Sequence, residues 1–290
     1  MQLPSQLLRR KLKSHKGDFG HIFILAGSQR FSGAAVLCAE AAMRTGAGLV
    51  TLGIPESLNS AIIKIKPREV MTLPLAETKE KSLSIKAFKK IKDFAKNSDL
   101  IVIGPGLSQN KETFKLVRQV ILKINKPLII DADGLNALIG HLDLLRTTCN
   151  AGRDTILTPH PGEMMKLLGK RIGFSELERK NIAKTFASDY NCIVILKGYK
   201  TVVASPFGKS YVNNTGNPGM ASAGCGDVLT GMVAALLGQG LDAFNAAKYA
   251  VYLHGLAGDI AAKEKTQVSL IATDVIEKIP AAIKRGQVQD

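Results

Sequence analysis

The chain has no tryptophan, and aromatic residues make up only 5% of its 290 positions. Few side chains can therefore stack on bases, which argues against single-stranded nucleic acid as a ligand. The four cysteines, Cys38, Cys149, Cys192 and Cys225, include no C-x-x-C pair and have no histidine at ligand spacing. Their scatter disfavours both a disulfide framework and a structural zinc site.

Long hydrophobic runs are also missing. The longest apolar stretch, 228–237, is interrupted by Thr230 and Gly231, and it is far shorter than the roughly 20 residues that a transmembrane helix needs. The first residues are rich in lysine and arginine, with no apolar segment leading to a small-residue cleavage site. We therefore expect a soluble, cytoplasmic protein without membrane contact.

Acidic residues are in the minority, since 24 of them face 39 lysines and arginines, for a net charge of +15. Such a balance occurs in nucleic-acid-binding proteins, but here the basic residues are dispersed. In the densest lysine run, 86–96, Phe88, Ile91 and Phe94 follow helical spacing, which puts the lysines on one solvated helix face. We favour a basic surface that attracts anionic small molecules, with no nucleic-acid partner. A basic binding protein without catalysis is the weaker alternative.

Short apolar runs alternate with helical patterns along the chain. Continuous apolar strands between helices predict an α/β fold with a mostly parallel central sheet and helices on both faces. No linker or internal repeat is present, so one domain is expected over residues 1–290. The predicted strands are 21–26, 49–54, 100–103, 128–130, 155–157 and 192–196, with a hairpin at 201–204 and 210–213; the predicted helices are 33–45, the lysine-rich run, 112–122, 175–189, 227–237 and 243–263.

The segment 214–231 reads N-T-G-N-P-G-M-A-S-A-G-C-G-D-V-L-T-G and continues into an apolar helical pattern. A glycine-rich turn at a helix N-terminus directs free backbone N–H groups to one point, which suits phosphate. Asp227 would repel a phosphate, so we expect it to accept a proton from a hydroxyl beside the phosphate. An ordinary loop with Asp227 as N-cap explains the pattern equally well. Cys225 is expected to fill the tight loop.

Other candidate ligand-binding residues follow the predicted strands, at the edge where open α/β sheets bind ligands. The loop 27–35 is rich in Gly, Ser and Ala, so a flat ligand could approach its backbone, although tight helix packing also explains it. In D-A-D-G-L-N (131–136) the two carboxylates are candidates for holding or positioning a magnesium ion. For Asp133, an N-cap is slightly favoured over that role.

Two prolines fix His160 in the rigid turn T-P-H-P-G-E (158–163), where Pro161 opens a helix. We favour a ligand contact for this histidine over a structural hydrogen bond. Lys197 leaves the strand 192–196 beside a glycine, in a good position for a nucleotide phosphate, although an ordinary β-turn is the simpler explanation of this segment alone. His254 lies on a predicted helix, where a satisfied packing role is expected.

The chain contains neither a Walker A loop nor a G-x-G-x-x-G fingerprint, so a nucleotide must be bound in another way. Taken together, its motifs resemble those of the ADP/ATP-dependent NAD(P)H-hydrate dehydratases of the ribokinase-like superfamily. The resemblance covers about 15–262. The motifs are H-K-G-D-F-G-H (15–21), A-G-S and S-G-A-A (26–35), G-A-G-L-V (46–50), G-P-G-L (104–107), D-A-D-G-L-N (131–136), L-T-P-H-P-G-E (157–163), K-G-x-x-T (197–201) and N-x-x-G-x-P-G-M-A with G-C-G-D-V-L-T-G (214–231).

This resemblance implies a lyase that repairs NADH or NADPH hydrated at C6 of the nicotinamide. A nucleotide phosphate, from ADP in bacterial and ATP in eukaryotic members, is transferred to the C6 hydroxyl and then eliminated. Asp227 would be the catalytic base and, with Ala35, Gly106 and His160, would contact the substrate. The implied nucleotide contacts are Lys197, Gly198, Tyr199, Lys200, Thr201, Ala223, Gly224, Cys225 and Gly226.

The resemblance also implies Mg²⁺ as cofactor, without assigning it a protein ligand, and a homotetramer. ADP is expected as co-substrate, whereas the choice between NADH and NADPH stays open. The chain begins almost directly at the dehydratase motifs, so the epimerase fused to many bacterial relatives is expected as a separate partner protein, or to be absent. The alternative function is a small-molecule kinase of the same fold for vitamin-precursor alcohols. The motifs T-P-H-P-G-E and G-P-G-L favour the dehydratase.

Overall fold

A nine-stranded sheet runs through the computed structural model, which describes residues 1–149, 152–173 and 175–287. Its strand order is β3-β2-β1-β4-β5-β6-β7-β8-β9, and the pairs up to β7 are parallel, whereas β8 and β9 extend the sheet as antiparallel strands. The strands are β1 (His21–Leu25), β2 (Leu49–Pro55), β3 (Met71–Leu75), β4 (Leu100–Ile103), β5 (Leu128–Ile130), β6 (Thr155–Leu157), β7 (Ile193–Leu196), β8 (Val202–Ala204) and β9 (Ser210–Val212).

Helices cover both faces of this sheet. They are α1 (Ser5–Leu8), α2 (Ser32–Arg44), α3 (Asn59–Ile65), α4 (Phe88–Ala95), α5 (Lys111–Lys123), α6 (Asp133–Asn136), α7 (Asp143–Cys149), α8 (Pro161–Leu168), α9 (Glu176–Tyr190), α10 (Cys225–Gly238), α11 (Ala243–Lys265) and α12 (Ala272–Gln287). Within the described residues, none of them has both the length and the apolar character needed to cross a bilayer.

Each face of the sheet has its own hydrophobic core, because successive strand residues point to opposite sides. In β1, Ile22 and Ile24 belong to the cluster formed with α2, α10, α11 and α12. Phe23 and Leu25 belong to the cluster formed with α4, α5, α8 and α9. Burial on both faces is why these strands are uninterrupted apolar runs.

The α/β class, the parallel sheet and its helical layers are confirmed, and the predicted strands agree within one or two residues. The elements that escaped prediction are the short helices α1, α3 and α7 and the proline-containing β3 and α12. Strand β3 contains Pro74, which a central strand would not tolerate, but β3 is the outermost strand and pairs with β2 alone. Helix α12 contains Pro280, a residue that normally ends a helix.

Two local features position the candidate site. The chain leaves β1 towards β2 and later returns to β4 on its other side, so the order reverses between β1 and β4, where open α/β sheets bind ligands. In the helical layer on the Ile22 and Ile24 face of the sheet, α10 packs directly on α2. A Cβ at Gly231 would lie 2.1 Å from the carbonyl oxygen of Cys38, so only glycine permits this approach.

Candidate active site

The loops after β1 and β4 meet at the point where the strand order reverses. The N–H of Gly27 donates to the carbonyl of Pro105 at 2.8 Å. Gly106 has a φ of +63°, and a Cβ there would lie 2.5 Å from the carbonyl oxygen of Phe31. Ala35 is fully buried, with its Cβ facing Gly27. The structure therefore brings Ala35 and Gly106 into one loop cluster; their predicted substrate contacts stay predictions.

The N-terminus of α10 presents a group of unbonded amides. Gly224 is the N-cap with φ +90°, and it packs beneath Leu37 and Ala272. Among the described residues, no acceptor binds the backbone N–H groups of Ala223, Gly224, Gly226 and Asp227, which we call the amide cradle, whereas the N–H of Cys225 donates to Ser222 at 3.4 Å. Free amides at a helix N-terminus can bind an anion; the anion site that the glycine pattern predicts stays a prediction.

Asp227 lies in the first turn of α10, partly buried, and its carboxylate has no hydrogen-bond partner among the described residues. Its pKa is raised to about 7, first by burial and then by the negative charge of Asp131, which outweighs the lowering effect of Lys197; Asp133 and Glu163 add smaller upward effects. A carboxylate that titrates near neutral pH is well matched to accept and release a proton. The alternative role, that of N-cap, belongs to Gly224 instead.

Asp131 is the centre of a buried polar network that we call the charge network. The carboxylate is 1% exposed. Its Oδ1 accepts from Lys197 Nζ at 2.8 Å and from Thr158 Oγ1 at 2.6 Å, and its Oδ2 accepts from Thr230 Oγ1 at 2.7 Å. Burial alone would raise the pKa of Asp131, but the Lys197 charge and these hydrogen bonds together lower it.

His160 is the N-cap of α8. Its Nδ1 accepts from the N–H of Glu163 at 3.3 Å, and Glu163 accepts in return from the N–H of His160 at 2.8 Å. The structural hydrogen bond is therefore present, because this capping pair satisfies the helix N-terminus. The ring is still half-exposed, so the predicted substrate contact stays open. Burial raises the pKa of Glu163, although Lys197 opposes the shift.

The segment 197–201 is held from behind by Arg179 on α9. This side chain is buried, and its guanidinium donates to the carbonyls of Leu196 and Lys197 at 3.1 Å and to that of Tyr199. Lys200 forms an ion pair with Glu176 at 2.7 Å instead of pointing freely into solvent. Sequence reasoning missed Arg179, because a lone arginine in a predicted helix gives no signal of its loop contacts.

A cleft of about 760 Å³ opens beside this segment, within the range of small-molecule sites. Its wall includes 197–201, Cys225 and Gly226, so most of the predicted nucleotide contacts line one cavity; Ala223 and Gly224 precede it in the amide cradle. Burial raises the pKa of the Cys225 thiol, in keeping with a small residue that fills the loop.

The opposite wall of the cleft is the loop 213–221, which is docked on α11. Asp259 accepts from the N–H of Gly216 at 2.9 Å and from Asn217 at 3.0 Å. His254, on the same helix, also lines the cleft, and its buried Nε2 has no hydrogen-bond partner among the described residues. The expected satisfied packing role is met only in part, because a backbone hydrogen bond to Cys225 contributes to the pKa of the ring while Nε2 has no partner in the described part of the chain. Burial lowers the pKa of this ring to about 4, so it is neutral.

A magnesium site built from Asp131 and Asp133 does not fit the geometry. Asp131 already accepts three hydrogen bonds, and Asp133 accepts from the N–H of Ser108 at 2.8 Å and from Asn136 at 3.1 Å. Among the described residues no cluster of three His, Cys, Asp or Glu side chains is arranged to bind a metal. Magnesium is commonly held by substrate phosphates and water. The amide cradle fits that arrangement, because it would bind the phosphates that carry the ion.

Comparisons with known proteins agree on one family. A family model described as NAD(P)H-hydrate dehydratase matches residues 22–281. The bifunctional NAD(P)H-hydrate repair enzyme Nnr of Moorella thermoacetica is 42% identical over 97% of this chain and 52% of its own length. The ADP-dependent (S)-NAD(P)H-hydrate dehydratase of Neisseria meningitidis serogroup B is 36% identical over 90% of this chain and 83% of its own. The chain spans about half the length of the first curated relatives it matches.

Solved structures point the same way. The ADP/ATP-dependent NAD(P)H-hydrate dehydratase of Bacillus subtilis, co-crystallized with ATP/Mg²⁺, is 32% identical and has a TM-score of 0.78 over 96% of this chain and 94% of its own. A ribokinase-like superfamily protein of Enterococcus faecalis, 23% identical, has a TM-score of 0.79 over 99% and 96% of the two chains, which shows the fold alone. The predicted ribokinase-like fold is confirmed.

Proposed function

Because this chain belongs to the NAD(P)H-hydrate dehydratase family, we propose that it is a hydro-lyase that restores NADH or NADPH from the S-form of the C6 hydrate. The co-substrate is ADP, as for the Neisseria relative, with ATP as the alternative that the Bacillus structure suggests. One observation carries the proposal: a carboxylate without a hydrogen-bond partner, with a pKa of about 7, stands in the same helical turn as the amide cradle.

The reaction follows from this juxtaposition. The terminal phosphate of the nucleotide lies in the amide cradle, whose N–H groups stabilise the negative charge that develops during transfer. Asp227 accepts the proton of the C6 hydroxyl as its oxygen attacks phosphorus, and the bond to the leaving nucleotide breaks. The C6–O bond of the phosphorylated hydrate then breaks as the neighbouring ring carbon loses a proton, which gives inorganic phosphate and the reduced ring. Magnesium bound to the nucleotide phosphates would neutralise part of their charge.

The substrate contacts are proposed at the loops after β1 and β4. The dinucleotide would lie against Ala35 and Gly106, with His160 at the end of β6 and Asp227 reaching the C6 hydroxyl. The nucleotide would occupy the cleft of about 760 Å³, in contact with 197–201 and with the turn 223–226. Support comes from the shared wall of that cleft and from the free amides beside it.

Further properties are proposed on the family relationship. Residues 1–290 would act as one domain, in keeping with the single continuous sheet. The enzyme would work in the cytoplasm as a homotetramer and would depend on magnesium. The relatives named bifunctional NAD(P)H-hydrate repair enzymes are matched over about half of their length, and an NAD(P)H-hydrate epimerase is proposed as the functional partner.

The proposal is tested by incubating the protein with the S-hydrate of NADH or NADPH and magnesium. Recovery of the nicotinamide absorbance is followed with ADP, with ATP and with neither nucleotide. We expect recovery only when a nucleotide is present. Absence of recovery with both nucleotides contradicts the function.

The role of Asp227 has its own test. Asp227→Asn is expected to abolish turnover while nucleotide binding, measured by calorimetry, is retained, because the backbone amides are unchanged. Asp93→Asn is the matched control, since Asp93 is an exposed residue of α4 paired with Lys96. Near-normal activity of Asp227→Asn would exclude this carboxylate as the base.

A further inference from the structure

Asp131 receives its three donors from three different elements. Thr158 follows β6, Lys197 follows β7, and Thr230 lies on α10 one turn after Asp227. Such a carboxylate has no exposed face for a ligand, because it is 1% exposed and both oxygens are in use. The role of this carboxylate is therefore to hold other side chains of the protein in place.

Lys197 is the partner whose position matters for the site. Its side chain is 17% exposed, and its Nζ lies 2.8 Å from Asp131 and 3.9 Å from Glu163. A Cβ built on Gly226 would lie 3.3 Å from the same Nζ. The ammonium is thus held over the backbone of the second residue of α10, beside the amide cradle. A lysine side chain loses considerable rotamer entropy in one geometry, so its position must be stabilised by its partners.

We propose that Asp131 is a positioning residue that fixes the Lys197 ammonium beside the amide cradle, where it completes the phosphate-binding surface. This inference rests on the proposed function, because the anion is taken to be the nucleotide phosphate. Free amides supply only partial charges, whereas Lys197, which lines the cleft and is 17% exposed, adds the N–H donors of an ammonium group. Without Asp131, the Lys197 stem is free to turn towards Glu163 or solvent, and the surface loses that charge.

The same carboxylate also influences the base. The charged or titratable groups that interact with Asp227 come from several elements: Asp131 after β5, Asp133 on α6, Glu163 on α8, Lys197 after β7, Cys38 on α2 and Cys225 on α10 itself. Asp131 raises the pKa of Asp227 more than Lys197 lowers it. Loss of the Asp131 charge is therefore expected to move the rising limb of the pH–rate profile to lower pH, which a purely structural residue would not do.

The test is a double-mutant cycle on ADP binding, measured by calorimetry with magnesium chloride present. Asp131→Asn and Lys197→Met are each expected to weaken ADP binding about tenfold or more, the effect of one charge-assisted contact. The double variant is expected to bind no more weakly than Lys197→Met alone, because both changes remove one contact. Unchanged binding by Asp131→Asn, or additive losses in the double variant, would overturn the proposal.

A second pair of variants tests the positioning role of Asp131 if Asp131→Asn does not fold. Thr230→Val removes one donor to Asp131 without changing charge, and it is expected to weaken ADP binding a few-fold. Thr155→Val is the matched control, because Thr155 is equally buried on β6 but donates to the carbonyl of Arg153 instead. Equal binding by the two variants counts against the proposal.

The outcomes also separate this inference from the function on which it rests. Wild-type protein that binds no ADP and dehydrates no hydrate would contradict both. Active wild-type protein with an Asp131→Asn variant of unchanged ADP affinity and unchanged pH profile would contradict the positioning role alone.

Discussion

Replacing Asp227 by asparagine should stabilise the protein at the same time as it removes activity. An aspartate whose pKa rises from 3.8 to about 7 on folding is held protonated in the folded state between those values, while it is ionised in the unfolded chain. The free energy of unfolding therefore falls as pH rises from about 4 to about 7. Roughly three pKa units at 1.36 kcal/mol each give an upper bound of about 4 kcal/mol. Asparagine does not ionise, so it loses no free energy of unfolding over this pH range.

The assay is urea unfolding of wild type and Asp227→Asn at pH 5 and pH 8. We expect the variant to be more stable at pH 8 by about 2–4 kcal/mol and to show a much smaller gain at pH 5, with an unchanged dependence on urea concentration. Asp93→Asn is the control and should show no such gain, because an ion pair with Lys96 lowers the pKa of the exposed Asp93. An Asp227→Asn variant that gains nothing at pH 8, or gains equally at both pH values, would refute the reasoning.

Two further predictions concern the pKa of Asp227 and the contact between α10 and α2. Because Asp227 must be ionised to accept a proton and its pKa is about 7, kcat/KM should rise with pH through a midpoint near neutrality; a profile flat between pH 6 and 8 would contradict this. Gly231→Ala should lower the free energy of unfolding by about 2–3 kcal/mol, since its Cβ would lie 2.1 Å from the Cys38 carbonyl. The control Gly33→Ala, with no atom within 4 Å of its Cβ, should leave stability unchanged or raise it slightly; equal urea midpoints for the two variants would show that the α2–α10 contact is not tight.

Much of the fold could be predicted because it depends on local pattern. The six parallel strands other than β3 are short, mainly apolar runs, and the glycine-rich segment before α10 indicated both the helix start and the free amides. Asp227 was identified by the same reasoning, since a carboxylate in an anion site needs a chemical explanation. Strand β3 and helix α12 each contain a proline, and their tolerance of it depends on sheet position and tertiary packing, which local sequence does not specify.

The connections of the site depend on contacts between residues far apart in the chain. Asp131 and Thr230 are 99 residues apart, and nothing in either motif indicates that one accepts a hydrogen bond from the other. The rigid turn at His160 was recognised, but the capping pair with Glu163 was not, although the spacing of three residues is the signal that would have revealed it. Arg179 gave no signal at all, because its partners are backbone carbonyls.

The direct backbone contact between α10 and α2 has a consequence for how the candidate site can move. Gly231 lies four residues after Asp227, or about 6 Å along the helix axis, and there the two helices touch backbone to backbone. Asp227, the proposed base, therefore lies on a helix segment that is fixed against α2, because no side chain that could rearrange separates the two backbones. We therefore expect any closure of the cleft to come from the facing loop 213–221, which is held on α11 by hydrogen bonds to Asp259 and to the carbonyls of Val251 and Tyr252.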